Sequence, residues 1–140
     1  MGYHTFDADR ADSLEDAQRR YRFLSAEELL WAMPSTGDEV VADLGSGTGF
    51  YTDDVAPAVD HVYAVDIQEA MHDYYREKGI PENVDLVTSG VGDLPLETDS
   101  LDAAYSTMTY HEFAAEQALS EIARVLVSRG TFVVVDWSAD

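Results

Sequence analysis

The chain has 140 residues, of which 28 are acidic and 8 basic, giving a net charge of −20, and it contains no cysteine. The missing cysteines exclude disulfides and thiolate sites, and no apolar run reaches the roughly 20 residues of a membrane-spanning helix. The acidity disfavours nucleic acid as a partner. Because molar salt screens charge repulsion within about 3 Å, the acidity also indicates a halophilic protein. No secretion signal is recognisable, so we expect a cytoplasmic domain.

The chain begins with a predicted helical region, residues 12–33, that divides into two pieces. Ser25 and Glu28 form a capping-box pattern at the start of the second piece, whose Leu29, Leu30 and Met33 are predicted to face a core. A break then follows at "PSTG", after which strand and helix patterns alternate.

The alternating part predicts five strands: Val40–Leu44, His61–Val65, Val84–Thr88, Leu101–Met108 and, opened by Gly130, Thr131–Trp137. Predicted helices separate several of these strands. One carries Tyr51, Val55 and Val59; another runs from about Gln68 to Lys78 with Gly79 as C-cap; a third presents Ala115, Leu119, Ile122 and Leu126. Continuously apolar strands separated by helices predict an α/β fold with a parallel sheet covered on both faces.

Three glycines at alternate positions, Gly45, Gly47 and Gly49, follow the first strand and its Asp43. Ligands of open α/β sheets bind at the carboxyl ends of the strands, and glycines let the backbone turn sharply there. A dinucleotide fingerprint would need a further glycine where Phe50 stands, so a nicotinamide-dependent oxidoreductase is disfavoured. A tight turn without a ligand remains the structural alternative.

A second acid, Asp66, ends the second strand 21 residues after Gly45. A carboxylate at this place can accept hydrogen bonds from both ribose hydroxyls. Its alternative role is to cap the helix that follows. With the glycine loop, it predicts a nucleoside ligand that has no pyrophosphate at the loop.

Four segments then occur in a recognisable order: "VADLGSGTGFY", "VYAVDIQEAM", "GDLPLETDSLDAAYSTMTYHEF" and "EIARVLVSRGTFVVVDW". Together they resemble the class I S-adenosylmethionine-dependent methyltransferases of the ubiquinone/menaquinone-biosynthesis type. The resemblance implies a Rossmann-like, doubly wound sheet of order 3-2-1-4-5 within a single domain, with residues 1–36 as a helical lid on a core of residues 37–140. It also implies that the last two of seven strands are missing, which leaves the fifth strand as a bare edge and predicts a homodimer through it.

The resemblance implies S-adenosylmethionine as cofactor and assigns its contacts by position. Asp43 would orient the methionine amino group, the glycine loop would pass under the methionine and ribose, and Asp66 would hold the ribose hydroxyls. The adenine would pack on Ile67 and meet the backbone at Val91, because Gly90 stands where the family often has aspartate. The predicted cofactor residues are Asp43, Gly45, Ser46, Gly47, Gly49, Asp66, Ile67, Val91, Ser106 and Thr107.

The catalytic part of the site is predicted from "TYHEF", which follows the fourth strand. His111 is the best candidate for a general base and Tyr110 a lesser one, although His111 could equally only line the pocket. The four histidines are dispersed, so no metal site is predicted.

The predicted function is methyl transfer to a small-molecule acceptor. A non-catalytic cofactor-binding module or inactive remnant is the alternative from a different class, and an RNA methyltransferase ranks lower. The stretch "RRYRF" could meet an anionic group, or its arginines could only offset a helix dipole.

Overall fold

A computed structural model describes residues 16–21, 24–107 and 116–135 of the chain. The helices are α1 (Ala17–Tyr21), α2 (Ala26–Trp31), α3 (Phe50–Val55), α4 (Glu69–Lys78) and α5 (Glu116–Val125). The strands are β1 (Val40–Leu44), β2 (His61–Asp66), β3 (Val84–Thr88), β4 (Leu101–Thr107) and β5 (Leu126–Val135). No helix within this part of the chain is long and apolar enough to cross a bilayer.

The five strands form one parallel sheet of order β3-β2-β1-β4-β5, which confirms the predicted fold class and strand order. The strand order reverses between β1 and β4, because the chain first builds outward through β2 and β3 and then returns to the other side of β1. Such a reversal opens a crevice at the carboxyl ends of the two central strands.

Each face of the sheet is buried under helices. On one face Leu29, Val55 and Tyr75, from α2, α3 and α4, pack in a cluster with strand residues including Val41 and Val62. On the other face Ala118, Ile122 and Val125 of α5 pack in a cluster that contains Ala42 and Leu101. Burial on both faces is why the strands are apolar almost throughout.

Two helix boundaries follow their predicted signals. The Ser25 hydroxyl accepts a hydrogen bond from Glu28 N at 3.1 Å, and Ser25 N donates to Glu28 Oε1 at 2.9 Å, so the capping box is formed. Gly79 ends α4 with a positive φ of 107°, a conformation in which glycine has no side-chain penalty.

Two predicted details, the helical positions of Val59 and Leu126, were wrong. The helix after the glycine loop ends at Val55 and gives way to a 3₁₀ turn at Ala56–Ala58, where Pro57 supplies no amide hydrogen; Val59 lies beyond it. In α5, Leu119 is 42% exposed, and the buried residues are Ala118, Ile122 and Val125. Leu126 is not helical.

Leu126 instead begins β5, four residues before the predicted opening at Gly130. It pairs with Leu101 of β4, after which the register shifts and Thr131 pairs with Ala103. Arg129 takes a left-handed φ of 69° within this irregular stretch. β5 is one edge of the described sheet, and the homodimer through that edge stays a prediction.

The connection from β3 to β4 is held down by α5. Arg124 donates from Nη2 to the carbonyl oxygens of Leu94 and Leu96, each at 3.0 Å, and Glu121 Oε2 accepts from Leu94 N at 2.7 Å. Gln117 Nε2 donates to Gly92 O at 2.8 Å. These bonds fix a segment that otherwise has no regular structure and that carries Val91.

Candidate functional site

The glycine loop folds back over the end of β2. Gly45 N and Ser46 N both donate to the carbonyl oxygen of Val65, at 2.7 and 2.9 Å. Gly45, Gly47 and Gly49 have φ angles of 81°, 57° and 84°, all in the left-handed region that side chains disfavour. The alternate glycines are therefore a backbone requirement, as the pattern indicated.

Asp66 is a second residue of β2 that holds this loop. Its Oδ2 accepts from Gly47 N at 2.8 Å and its Oδ1 accepts from Gln68 N at 2.8 Å. Gln68 is itself the N-cap residue of α4, so Asp66 does not bond the first-turn amides as a helix cap would. A carboxylate has about four lone-pair positions, and these two bonds leave capacity for two hydroxyl donors.

Gly49 is required for packing within the protein. A Cβ atom at this position would lie 2.3 Å from two ring carbons of Tyr75. The Tyr75 ring is buried, and its hydroxyl donates to Asp53 Oδ1 at 2.6 Å. The structure thus supplies a reason for this glycine other than the predicted cofactor contact, which stays a prediction.

Asp43, the predicted partner of the methionine amino group, is only 1% exposed at the end of β1. Its Oδ2 accepts from Thr52 Oγ1 at 2.7 Å, whereas Oδ1 is buried without a hydrogen-bond partner in the described part of the chain. Burial is the main cause that raises the pKa of Asp43 from 3.8 to about 6, opposed by the Thr52 hydroxyl. The carboxylate is therefore held in its charged form at an energetic cost near neutral pH.

Asp43→Asn should stabilise the ligand-free protein at pH 7. In the wild type, the folded state binds the Asp43 proton more tightly than the unfolded state does. The stability that this protonation contributes is fully present below about pH 4 and is lost as pH rises through about 6. The neutral amide avoids that loss, so we expect a gain of about 2–3 kcal/mol in the free energy of unfolding at pH 7 and none near pH 4.

Urea unfolding at several pH values, in molar potassium chloride, measures this effect. Asp85→Asn is the matched control, because Asp85 is an exposed carboxyl on β3 whose Oδ2 lies 3.0 Å from Nε2 of His61 on the neighbouring strand. An equal gain in both variants would mean that reduced charge repulsion, and not burial of Asp43, is the cause.

The predicted adenine side lies beyond the ends of β2 and β3. Ile67 is 62% exposed and directly follows the end of β2. Gly90 faces it, since a Cβ atom at Gly90 would lie 3.8 Å from Ile67 Cδ1. The Val91 side chain is buried against the α5 side of the sheet, so the predicted adenine contact would have to come from its backbone, and that contact stays a prediction.

Side chains at the end of β4 lie on both faces of the sheet. Alternation along the strand places Thr107 and Tyr105 on the face of Asp43, and Ser106 on the opposite face with Ala104. Tyr105 pairs directly with Asp43 across the two strands. The sequence reasoning missed Tyr105, because an aromatic residue inside an apolar strand has no signal that separates it from the core.

One arginine of the basic stretch reaches the loop. The Arg20 guanidinium lies over the rings of Phe50 and Tyr51, 5.1 and 4.8 Å from their centroids, and its positive charge lowers the pKa of Asp43. Tyr51 in turn donates to the carbonyl oxygen of Leu24 at 2.7 Å. The residues around α1 therefore dock on the start of α3, directly beside the glycine loop.

The predicted catalytic residues Tyr110 and His111 lie outside the described residues, and their roles stay predictions. Within residues 16–21, 24–107 and 116–135, no three His, Asp or Glu side chains are grouped so that they could hold a metal ion.

The sequence of this loop and sheet matches a known family. A methyltransferase domain profile covers residues 42–134, from the middle of β1 to the end of β5. The chain belongs to this methyltransferase domain family. The match includes the glycine loop, Asp66 and the end of β4.

The methyltransferase domain has relatives of known fold. A crystal structure of an S-adenosylmethionine-dependent methyltransferase from Aquifex aeolicus is 28% identical, with a TM-score of 0.87, over 97% of this chain and 76% of that one. A Haloferax volcanii methyltransferase in complex with the Trm112 methyltransferase activator is 26% identical, with a TM-score of 0.77, over 89% and 57%. These neighbours support the Rossmann-like fold and S-adenosylmethionine as the cofactor.

Sequence relatives of the methyltransferase domain are longer. An uncharacterized methyltransferase-like protein of Schizosaccharomyces pombe is 33% identical over 132 residues, which are 94% of this chain and 50% of that protein. The biotin biosynthesis bifunctional protein of Cellvibrio japonicus is 34% identical over 105 residues, 74% of this chain and 21% of that protein. The chain thus spans half or less of the length of these relatives.

Proposed function

We propose that this domain binds S-adenosylmethionine and directs its methyl group to a small-molecule acceptor. The observation that carries the proposal is the joint arrangement of the glycine loop and Asp66 at the carboxyl end of the parallel sheet. This arrangement places a carboxylate with unused acceptor capacity beside a loop whose backbone is free of side chains at three positions.

The side chains at this site match the cofactor in polarity as well as in position. Asp66 can accept the two ribose hydroxyls, the exposed Ile67 offers an apolar surface for the adenine, and Asp43 supplies a negative charge toward the cationic amino group. The Ser46 hydroxyl is buried in the loop without a partner among the described residues, so it can form a hydrogen bond with a ligand. The first three features match the ribose, the adenine and the amino group of one molecule.

The chain's own contribution to the reaction is alignment. When bound, S-adenosylmethionine supplies a methyl group already activated on a sulfonium, so positioning, which can contribute roughly 7–11 kcal/mol, matters more than acid–base help. Asp66 and the loop that it holds would fix the ribose, and Thr107 at the end of β4 would border the reacting side. His111 would act as a base only for an acceptor that must lose a proton.

The charge distribution favours a small neutral or cationic acceptor over RNA. The net charge is −20, and several described cations are committed to carboxylates: Lys78 to Asp53 at 3.1 Å, and Arg124 to Glu121 at 2.6 Å. RNA binding needs a basic surface, and phosphate contacts weaken steeply with salt.

The test is isothermal titration of the full chain with S-adenosylhomocysteine and with NAD⁺ in molar potassium chloride. We expect micromolar binding of the former and none of the latter. A folded protein that fails to bind S-adenosylhomocysteine would contradict the cofactor assignment. Transfer of labelled methyl into a metabolite extract then separates an enzyme from a binding module, which would bind without any turnover, and transfer into RNA would overturn the small-molecule acceptor.

A further inference from the structure

We propose that Tyr105 is a positioning residue of the cofactor site, whose hydroxyl donates a hydrogen bond to Asp43 and keeps that carboxylate ionised for a cationic amino group. The part that concerns the amino group rests on the proposed function. The link between Tyr105 and Asp43 stands on the geometry of the ligand-free protein.

Tyr105 and Asp43 occupy matched positions at the point where the strand order reverses. They are register partners on β4 and β1, the two central strands that border the crevice. Both side chains lie on the sheet face that α3 and α4 cover, as Thr52 of α3 donates to Asp43 at 2.7 Å. The two groups are also close enough to interact electrostatically, since the charge of Asp43 raises the pKa of Tyr105.

Both groups have polar atoms that are buried without a hydrogen bond in the described part of the chain. Tyr105 is 0% exposed, and its hydroxyl and Asp43 Oδ1 each lack a partner there. Buried polar atoms are nearly always paired in proteins, and we infer that these two atoms on facing residues bond each other. A phenylalanine would fill the same space without burying a hydroxyl.

The groups that face this pair come from every surrounding element. The charges of Arg20 on α1 and of Asp66 at the end of β2 act on Asp43, in opposite directions. Burial is the largest cause that raises the pKa of Tyr105 well above its ordinary value, and the charge of Asp43 follows. Tyr75 of α4 raises this pKa as well. Tyr105 thus stays protonated and is a donor throughout the pH range of interest.

Two hydroxyl donors on one carboxylate have a defined consequence. Thr52 bonds Oδ2, and Tyr105 bonding Oδ1 would satisfy the second oxygen, so the charged form is favoured over the protonated one. Loss of the Tyr105 hydroxyl leaves the Thr52 hydroxyl and the charge of Arg20 to oppose burial. Asp43 should then take up its proton at higher pH, and binding of a cation should weaken at mildly acidic pH.

The test compares wild type with Tyr105→Phe by NMR of ¹³C-carboxyl aspartate in the full chain, with Asp43→Asn identifying the Asp43 signal. We expect the Asp43 titration midpoint to rise by about one pH unit in Tyr105→Phe, since one charge-assisted hydrogen bond is lost. Affinity for S-adenosylhomocysteine should fall about threefold near pH 6.5 and match wild type near pH 8.5.

Tyr51→Phe is the control, because its buried hydroxyl bonds backbone carbonyls at Arg20 and Leu24 instead of a carboxylate. We expect its Asp43 midpoint to equal that of wild type. An unchanged Asp43 midpoint in Tyr105→Phe, or an equal rise in Tyr51→Phe, would overturn the inference. Failure of the wild type to bind S-adenosylhomocysteine would overturn the cofactor assignment alone, since the NMR titration requires no ligand.

Discussion

Replacing Asp66 with alanine is expected to weaken S-adenosylhomocysteine binding by more than a hundredfold. The variant removes two charge-assisted hydrogen bonds to the ribose, worth about 3 kcal/mol together. It also removes the acceptor of Gly47 N, which ties the loop to β2, and the acceptor of Gln68 N at the start of α4. Calorimetric titration of the folded variant measures the loss, and binding within threefold of wild type would refute the ribose assignment.

The contact with the ribose can be separated from the support of the loop by a second ligand. S-adenosylhomocysteine that lacks the ribose 2′-hydroxyl should bind wild type more weakly. Its further loss on Asp66→Ala should be smaller than that of the intact ligand by about one hydrogen bond, because that bond is already missing. Fully additive losses would show that Asp66 acts only through the loop. Asp85→Ala, an exposed acid on β3, controls for the removal of one negative charge.

Gly49→Ala is expected to lower the free energy of unfolding by about 2–5 kcal/mol. About 1–2 kcal/mol comes from the left-handed backbone and about 1–3 kcal/mol from overpacking. The added methyl would approach the Tyr75 ring to 2.3 Å, and that ring is held by its bond to Asp53. A loss of this size is a large fraction of the stability of a single domain, so the loop conformation and the fold are coupled.

Gly37→Ala isolates the backbone part of that loss. Gly37 also has a positive φ, 108°, but a Cβ atom there would meet nothing within 4 Å. We therefore expect the larger loss in Gly49→Ala and its partial recovery in Gly49→Ala/Tyr75→Leu, both measured by urea unfolding. Equal losses in the two glycine variants would contradict the role assigned to Tyr75.

The strands were predictable because burial on both faces of the sheet produces apolar runs whose first and last residues can be recognised in the sequence. Val40–Leu44 and Val84–Thr88 have the predicted limits, and the capping box at Ser25 marks its helix correctly. The errors fell where two elements adjoin without a loop. Leu126 continues the apolar spacing of α5, yet it pairs with Leu101, because strand pairing is a contact with a distant part of the chain.

The cofactor site was predictable only in part. The alternate glycines and Asp66 carry a local signal, since glycine density and a strand-terminal acid are visible in the sequence, and the structure joins them through the bond from Gly47. The role of Gly49 was not visible, because its steric partner Tyr75 lies on another helix. The pairing of Tyr105 with Asp43 depends on strand order and register, which no local pattern specifies.

By itself the sequence determined the element order, the parallel sheet and the family, because each rests on periodicity and on short motifs of neighbouring residues. Only the tertiary structure decided which side chains surround Asp43. That carboxylate is buried among groups from α1, β2, α3 and β4, and its pKa of about 6 is a property of the assembled set. Desolvation and electrostatic interactions depend on distances through space, so the chemistry of Asp43 exists only once the sheet has formed.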